Sequence, residues 1–115
     1  MGARLSENLP RNPHAKHLIL IYFCGIRSYE GEAHDMVSKL NKKFPGVFNF
    51  EVSRDEGFTN RLECIVRFDY TKSKKQKDML IHSKKAGMGQ PSDNWNGFLD
   101  RAKEALFNYH LLQQQ

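Results

Sequence analysis

The chain has 115 residues, a formal net charge of +5, 39% apolar and 27% charged residues. This length allows one compact domain, and the longest apolar run, Leu18 to Cys24, is much shorter than the roughly 18 residues of a membrane-spanning helix. Two cysteines exclude a disulfide scaffold, and the histidines lack metal-ligand spacing, so we expect neither a metal nor a cofactor. Because the first fifteen residues also lack the apolar segment of a secretory signal, we expect a cytoplasmic protein.

Residues 1–15 are polar, contain Pro10 and Pro13, and show no periodicity, which predicts a flexible N-terminal arm. Its first six residues, Met1-Gly2-Ala3-Arg4-Leu5-Ser6, fit the pattern for N-myristoylation, with Gly2 as the lipidation candidate. A single acyl chain binds membranes only marginally. We therefore expect weak, reversible membrane association, and only if Gly2 is myristoylated.

The first predicted strand runs from residue 16 or 17 to Phe23 and is apolar at nearly every position. Such a run is typical of a strand that lies centrally in a sheet and is covered on both faces. A helix is predicted over residues 28–43, with Ser28 as its N-cap and acidic residues in its first turn. Its apolar positions form one stripe at helical spacing: Tyr29, Ala33, Met36, Val37, Leu40 and Phe44.

Alternating apolar residues predict three further strands, over residues 47–53, 61–70 and 79–83. The connection Thr71–Lys77 is short and polar, which indicates a hairpin. A last helix is predicted over residues 93–111, capped by Ser92 or Asp93, and residues 112–115 should fray. The order β-α-β-β-β-α predicts an α/β domain over residues 16–111 with a four-stranded mixed sheet, the first strand central and both helices packed on the sheet. This is the minimal thioredoxin-like arrangement.

Cys24 and Gly25 follow the apolar run directly, just before the predicted helix. A helix N-terminus carries partial positive charge and free N–H groups, both of which favour a thiolate. Arg27 would favour the thiolate further through its charge. The alternative is that Cys24 is a small buried apolar residue, as free cysteines often are.

Three segments carry a resemblance to the selenoprotein W family, also called the Rdx family. Tyr22-Phe23-Cys24-Gly25-Ile26-Arg27-Ser28-Tyr29 resembles the family's Tyr-Cys-Gly-x-Sec-x-Tyr, with one extra residue before the cysteine. Lys43-Phe44-Pro45-Gly46 is similar to the helix exit Glu-Phe-Pro-Gly, and Leu80-Ile81-His82-Ser83-Lys84-Lys85-Ala86-Gly87-Met88-Gly89 follows Leu-Ile-His-Ser-Lys-Lys-x-Gly-x-Gly. The resemblance implies a thioredoxin-like fold, a role in cell redox homeostasis, and a partner surface that includes the Gly87–Pro91 loop.

Arg27 stands where the family has the selenocysteine or second cysteine of its redox pair. Arginine cannot resolve a mixed disulfide, so we expect single-cysteine chemistry in which Cys24 pairs with glutathione or a protein thiol. A hypothesis left open is that the gene specifies selenocysteine at position 27, because a CGA arginine codon differs from UGA by one base. The alternative function is a redox-inactive interaction module that uses the Cys24 loop, the Gly87–Pro91 loop and the lysine-rich turn. For both functions we expect a monomer.

The remaining candidates favour structural roles. Cys64 lies mid-strand on an apolar face, which predicts a core residue, and His82 is expected at an exposed strand end. One basic cluster is predicted at a sheet edge, either simply solvated or bound to a protein or to anionic lipid. It consists of lysines 72, 74, 75 and 77 together with Lys84 and Lys85. Nucleic acid is not expected, because only Tyr70 could stack on bases.

Overall fold

The computed structural model describes residues 3–5, 9–72 and 77–113. The strands are β1 (Ala3–Leu5), β2 (His17–Phe23), β3 (Phe48–Arg54), β4 (Leu62–Phe68) and β5 (Lys77–Ser83), and the helices are α1 (Glu30–Lys43) and α2 (Trp95–Gln113). Two short helical turns, Lys84–Met88 and Pro91–Asp93, connect β5 to α2. Neither described helix is both long and apolar enough to cross a membrane.

The strands form one mixed sheet in the order β1-β3-β2-β4-β5. β2 runs parallel to β3 across the α1 connection, and β4 runs antiparallel to both β2 and β5. The predicted four-stranded mixed sheet with the first strand at its centre is therefore confirmed for β2 to β5. Because β2 is central, its C-terminal end, where Cys24 follows, lies between the ends of its two neighbours.

The described part of residues 1–15, for which the sequence predicts a flexible arm, pairs with and bonds to β3. Ala3–Leu5 add a fifth strand, antiparallel to the last residues of β3. Further along, the Asn12 amide donates to the carbonyl oxygen of Phe48 at 2.7 Å, and its backbone N–H donates to Asn49 Oδ1 at 2.8 Å. β3 would otherwise be an edge strand with unpaired backbone groups, which explains why a polar segment pairs there. The lipidation candidate Gly2 lies outside the described residues.

Both helices pack on the same face of the sheet and share one core with it. The buried stripe of α1 is Ala33, Met36, Val37 and Leu40, four of the positions that the apolar spacing predicted, and that of α2 is Phe98, Ala102, Ala105, Leu106 and Tyr109. Leu18 and Leu20 belong to the opposite face and are still buried, so β2 is covered on both sides. On that face the cover is side chains rather than a helix: the Arg61 guanidinium lies 4.6 Å from the centre of the Tyr22 ring.

The ends of the helices differ from the predictions. α1 begins at Glu30 with Tyr29 as its N-cap and no side-chain cap, so Ser28 is a loop residue. α2 begins at Trp95, and its cap is Asn94, whose Oδ1 accepts from the Gly97 N–H at 3.0 Å. The same helix continues to residue 113, so residues 112 and 113 are helical instead of frayed, while 114–115 lie outside the described residues.

Candidate functional site

The loop that connects β3 to β4, residues 55–61, covers Cys24, the residue that follows β2. The Cys24 N–H donates to the Arg61 carbonyl at 2.8 Å, and the Asp55 N–H donates to the Phe23 carbonyl at 2.8 Å. The Gly25 N–H then donates to the Gly57 carbonyl at 3.0 Å. These bonds continue the backbone pairing of β2 with its two neighbours beyond the ends of the strands. They place the 55–61 loop directly over the cysteine.

The Cys24 sulfur is surrounded by backbone amides. The Thr59 N–H donates to Sγ at 3.3 Å, and the side chain has 0% of its surface exposed. Burial raises the pKa of this thiol, but four backbone N–H groups outweigh that effect and lower the pKa to about 6: those of Arg27, Ile26, Thr59 and Asn60. Hydrogen bonds to the charged form favour it, so Cys24 is mostly thiolate at neutral pH.

The source of this stabilisation differs from the prediction. The sequence suggested the N-terminus of the following helix, but α1 begins at Glu30, beyond the amides that face the sulfur. Half of those amides come from the 55–61 loop, where Gly57 (φ 72°) and Asn60 (φ 53°) adopt left-handed conformations. Consecutive amides in such turns form concave sites for anions. The site is therefore a nest of loop amides that binds the thiolate.

Arg27, predicted as a catalytic residue through its charge, contributes its backbone N–H to the sulfur. Its guanidinium instead lies over the Phe58 ring, 5.3 Å from the ring centre. This cation–π contact joins the loop after β2 to the 55–61 loop on the outer surface of the site. The structure thus places Cys24 and Arg27 together, and the guanidinium lies against the ring rather than against the sulfur.

An ion pair that the sequence reasoning missed fixes the 55–61 loop. Arg61 donates to both carboxylate oxygens of Asp55, at 2.6 and 2.8 Å, and the Thr59 hydroxyl donates to the same carboxylate at 2.6 Å. These bonds lower the pKa of Asp55, mainly through the Arg61 guanidinium. Opposite charges six residues apart gave no signal in the sequence, because only the reversal of the loop brings them into contact.

Exposed apolar side chains surround the buried sulfur. Ile26 is 68% exposed and Phe58 is 59% exposed. Between them opens a surface cavity of about 690 Å³, lined by Ile26, Arg27, Ser28, Tyr29, Glu32, Phe58 and Gln90. Cys24 is not part of this lining, so the cavity lies beside the thiolate. Gln90 belongs to the Gly87–Pro91 loop, which the resemblance had implied as a partner surface.

Cys64 and His82 both lie inside the protein. Cys64 is fully buried and its pKa is raised by burial, which confirms the predicted core role. The expectation that His82 is exposed is wrong, because a register shift beside Cys64 leaves the last three residues of β5 buried. Arg101 Nη2 donates to His82 Nδ1 at 2.8 Å, so Nε2 carries the proton and donates to the Gly89 carbonyl at 2.8 Å. This chain of bonds ties α2 to the loop that borders the cavity.

The predicted single basic cluster is divided between the two ends of the sheet. Lys77 begins β5, whereas Lys84 and Lys85 follow its end, on the same side as Cys24. The Lys84 ammonium lies 5.6 Å from the centre of the Tyr29 ring. Lys74 and Lys75 lie outside the described residues.

Within residues 9–72 and 77–113, no three histidine, cysteine, aspartate or glutamate side chains are arranged to hold a metal ion. Comparisons with family models, with curated proteins and with solved structures found no match to this chain.

Proposed function

We propose that the protein is a cytoplasmic thiol redox protein that acts through Cys24 alone. The observation that carries the proposal is the nest of backbone amides that lowers the pKa of this thiol to about 6. A thiolate is the nucleophile in thiol–disulfide exchange, so a cysteine that is ionised at neutral pH is prepared for that reaction. The other cysteine, Cys64, is buried with a raised pKa and has no part in it.

The proposed reaction is exchange with a disulfide that joins glutathione to a protein thiol. The Cys24 thiolate attacks the glutathione sulfur, a Cys24–glutathione disulfide forms, and the protein sulfur leaves as a thiolate that takes a proton from water. The thiolate of free glutathione then attacks the glutathione sulfur of the mixed disulfide. Glutathione disulfide leaves, and the Cys24 thiolate is restored without a second cysteine in the chain.

The burial of the sulfur sets a condition on this chemistry. Cys24 has no exposed surface, and the loops that cover it are held by the Arg27–Phe58 contact and by the Gly25–Gly57 hydrogen bond. A partner disulfide therefore reaches the sulfur only after the Arg27 and Phe58 side chains move apart, while the Thr59 and Asn60 amides stay in place. We propose that binding in the neighbouring cavity, against Ile26 and Phe58, accompanies that movement.

The fold is consistent with this proposal. The mixed sheet with a central β2, a parallel β3 reached through α1, and two helices on one face is compatible with a thioredoxin-like layout. In that layout the loop after the first core strand carries the redox residue, which is the position of Cys24. The motif resemblance to the selenoprotein W family supports the same function, with Arg27 in place of its second redox residue.

Two measurements test the proposal. The ultraviolet absorbance of the thiolate should titrate with a midpoint at about pH 6 in a Cys64→Ala variant, and this signal should vanish in Cys24→Ser. Incubation with glutathione disulfide should then add one glutathione to the folded protein, seen by intact mass, and none to Cys24→Ser. A midpoint near the ordinary value of about 8.5, or no adduct at any pH, would contradict the redox function.

A second candidate, a redox-inactive interaction module, is favoured by one specific observation. The apolar side chains of Ile26 and Phe58 are exposed next to a sulfur that is not. If recognition is the function, a Cys24→Ser variant should keep its partners at full affinity in pull-down experiments, and Ile26→Ser with Phe58→Ser should lose them. If mixed disulfides are the function, Cys24→Ser should lose the partners that a reducing agent releases from the wild-type protein.

A further inference from the structure

Exposed positive charges gather at the end of the sheet opposite to Cys24. β2 has seven residues and separates the two ends by about 23 Å. At the end where β2 begins, six cationic side chains of the described residues are exposed, and we refer to them as the basic end: Arg11, Lys16, Lys42, Lys43, Lys72 and Lys77.

A cluster of aromatic rings holds this end of the protein together. The Phe44 and Phe48 rings lie 5.8 Å apart, His17 lies 5.6 Å from Tyr109, and Phe68 stacks on Tyr109 at 4.2 Å, all between ring centres. His17 also lies 6.4 Å from Phe48, which makes the cluster continuous from the end of α1 to the end of α2. The elements that end here are therefore fixed relative to one another.

Each lysine of the basic end is next to a member of this cluster or to a loop bonded to it. Lys16 precedes His17, and Lys42 and Lys43 precede Phe44. Lys77 pairs with Phe68 across β4 and β5. The Lys72 N–H donates to the Asp69 carbonyl at 3.1 Å, just after β4.

The carboxylates at this end are already engaged. Asp69 accepts a hydrogen bond from the Tyr109 hydroxyl. Asp78 accepts two hydrogen bonds from Arg67, at 2.8 and 3.0 Å. Arg67 neutralises Asp78, whereas Asp69 bonds to a neutral hydroxyl and keeps its charge, so of these two acids only Asp69 offsets the six cations.

The last turns of α2 place exposed apolar side chains beside the basic end. Phe107 is 63% exposed, Leu111 is 46% exposed and Leu112 is 58% exposed. Their position follows from the stacking of Tyr109 on Phe68 and from the 6.0 Å between the His110 and His17 rings. Phe107 and Leu111 are four residues apart and so share one face of the helix.

We propose that the basic end and the last turns of α2 form a peripheral docking surface for an anionic lipid bilayer. Exposed lysines and arginine are attracted to acidic headgroups, while exposed Phe and Leu side chains insert at the boundary between headgroups and acyl chains. Nucleic acid would use the charges but would gain nothing from Leu111 and Leu112, so these leucines favour a lipid surface. The docking needs neither lipidation of Gly2 nor the chemistry of Cys24, which would face away from the bilayer.

The test is co-sedimentation of the full-length, unlipidated chain with vesicles. We expect binding to vesicles of phosphatidylcholine with one third phosphatidylserine, and little binding to phosphatidylcholine alone. Each cation near such a surface contributes about a fivefold factor in affinity, so Lys42→Gln, Lys43→Gln and Lys72→Gln together should weaken binding roughly a hundredfold. The matched control, Lys39→Gln, Lys84→Gln and Lys85→Gln, removes the same charge elsewhere and should weaken binding far less.

The contribution of the apolar residues is tested separately. Leu111→Ser with Leu112→Ser should weaken vesicle binding and leave binding to a short duplex DNA unchanged. Equal losses in the two lysine variants would overturn the proposal, because the effect would then follow net charge alone. So would tighter binding to the DNA than to the anionic vesicles, or unchanged vesicle binding in the leucine variant. Thermal melting of each variant checks that the fold is retained; every replaced side chain is exposed except that of Lys84, which is half-buried.

Discussion

Replacing Gly25 by alanine is expected to destabilise the protein by about 3 kcal/mol or more and to raise the pKa of Cys24. A Cβ atom at this position would lie 2.1 Å from the Asp55 carbonyl oxygen and 2.9 Å from the Gly57 carbonyl oxygen. Both obstacles are backbone atoms of the 55–61 loop, so no side-chain rotation relieves the clash. The loop must move outward, and it then takes the Thr59 and Asn60 amides away from the sulfur.

Urea unfolding measures the loss of stability, and the thiolate absorbance measures the pKa. Gly31→Ala is the matched control, because nothing lies within 4 Å of a Cβ built at Gly31 in α1. That substitution should stabilise the protein by about 0.5 kcal/mol, since alanine loses less backbone entropy in a helix. If Gly25→Ala and Gly31→Ala have similar unfolding midpoints, the close approach of the two loops does not exist in solution.

Replacing Arg101 by methionine is expected to cost about 3 kcal/mol of stability, because two buried acceptors lose their donor. Arg101 donates to the Ile81 carbonyl at 2.6 Å and to His82 Nδ1 at 2.8 Å. The pKa of His82 is lowered first by burial and also by the Arg101 charge, so removing that charge should raise it. Imidazole NMR shifts report the pKa, and urea unfolding reports the stability.

Lys103→Met, on an exposed part of α2, is the control for this prediction. It removes the same charge from the same helix and should change the stability by less than about 0.5 kcal/mol. Arg101→Lys keeps the charge but lacks the planar guanidinium that donates to both the Ile81 carbonyl and His82 Nδ1. Its stability should therefore lie between those of Arg101→Met and the wild type. Equal stability of Arg101→Met and Lys103→Met would show that the Arg101 bonds contribute nothing.

The sequence predicted the strands and helices of the core because their side chains repeat with the period of the backbone. The alternation of Phe48, Phe50 and Val52 specified β3, and the uniform apolar run of β2 specified its central position. Strand and helix ends were less predictable. β4 ends at Phe68 and not at Tyr70, because Asp69 adopts a left-handed conformation at φ 46° that no periodicity reveals.

Segments held by long-range hydrogen bonds escaped prediction for a related reason. The Asn12 side chain bonds to residues at least 29 positions away, and His82 owes its burial to Arg101 on α2 and to a bulge beside Cys64. A polar residue satisfies its hydrogen bonds equally well with solvent or with residues distant in sequence. Only the folded chain shows which of these two partners it has.

By itself, the sequence determined the α/β core and placed Cys24 at the end of the central strand, because an apolar run followed by Cys-Gly has few other arrangements. The tertiary structure decided what surrounds the sulfur. The amides of two loops, and not a helix N-terminus, lower the pKa of Cys24 to about 6. The Arg27 guanidinium lies against Phe58, and the sulfur has no exposed surface. The physical reason is that hydrogen bonds from backbone N–H groups depend on where loops fold, and every residue except proline carries that group, so the sequence does not mark which ones will meet the cysteine.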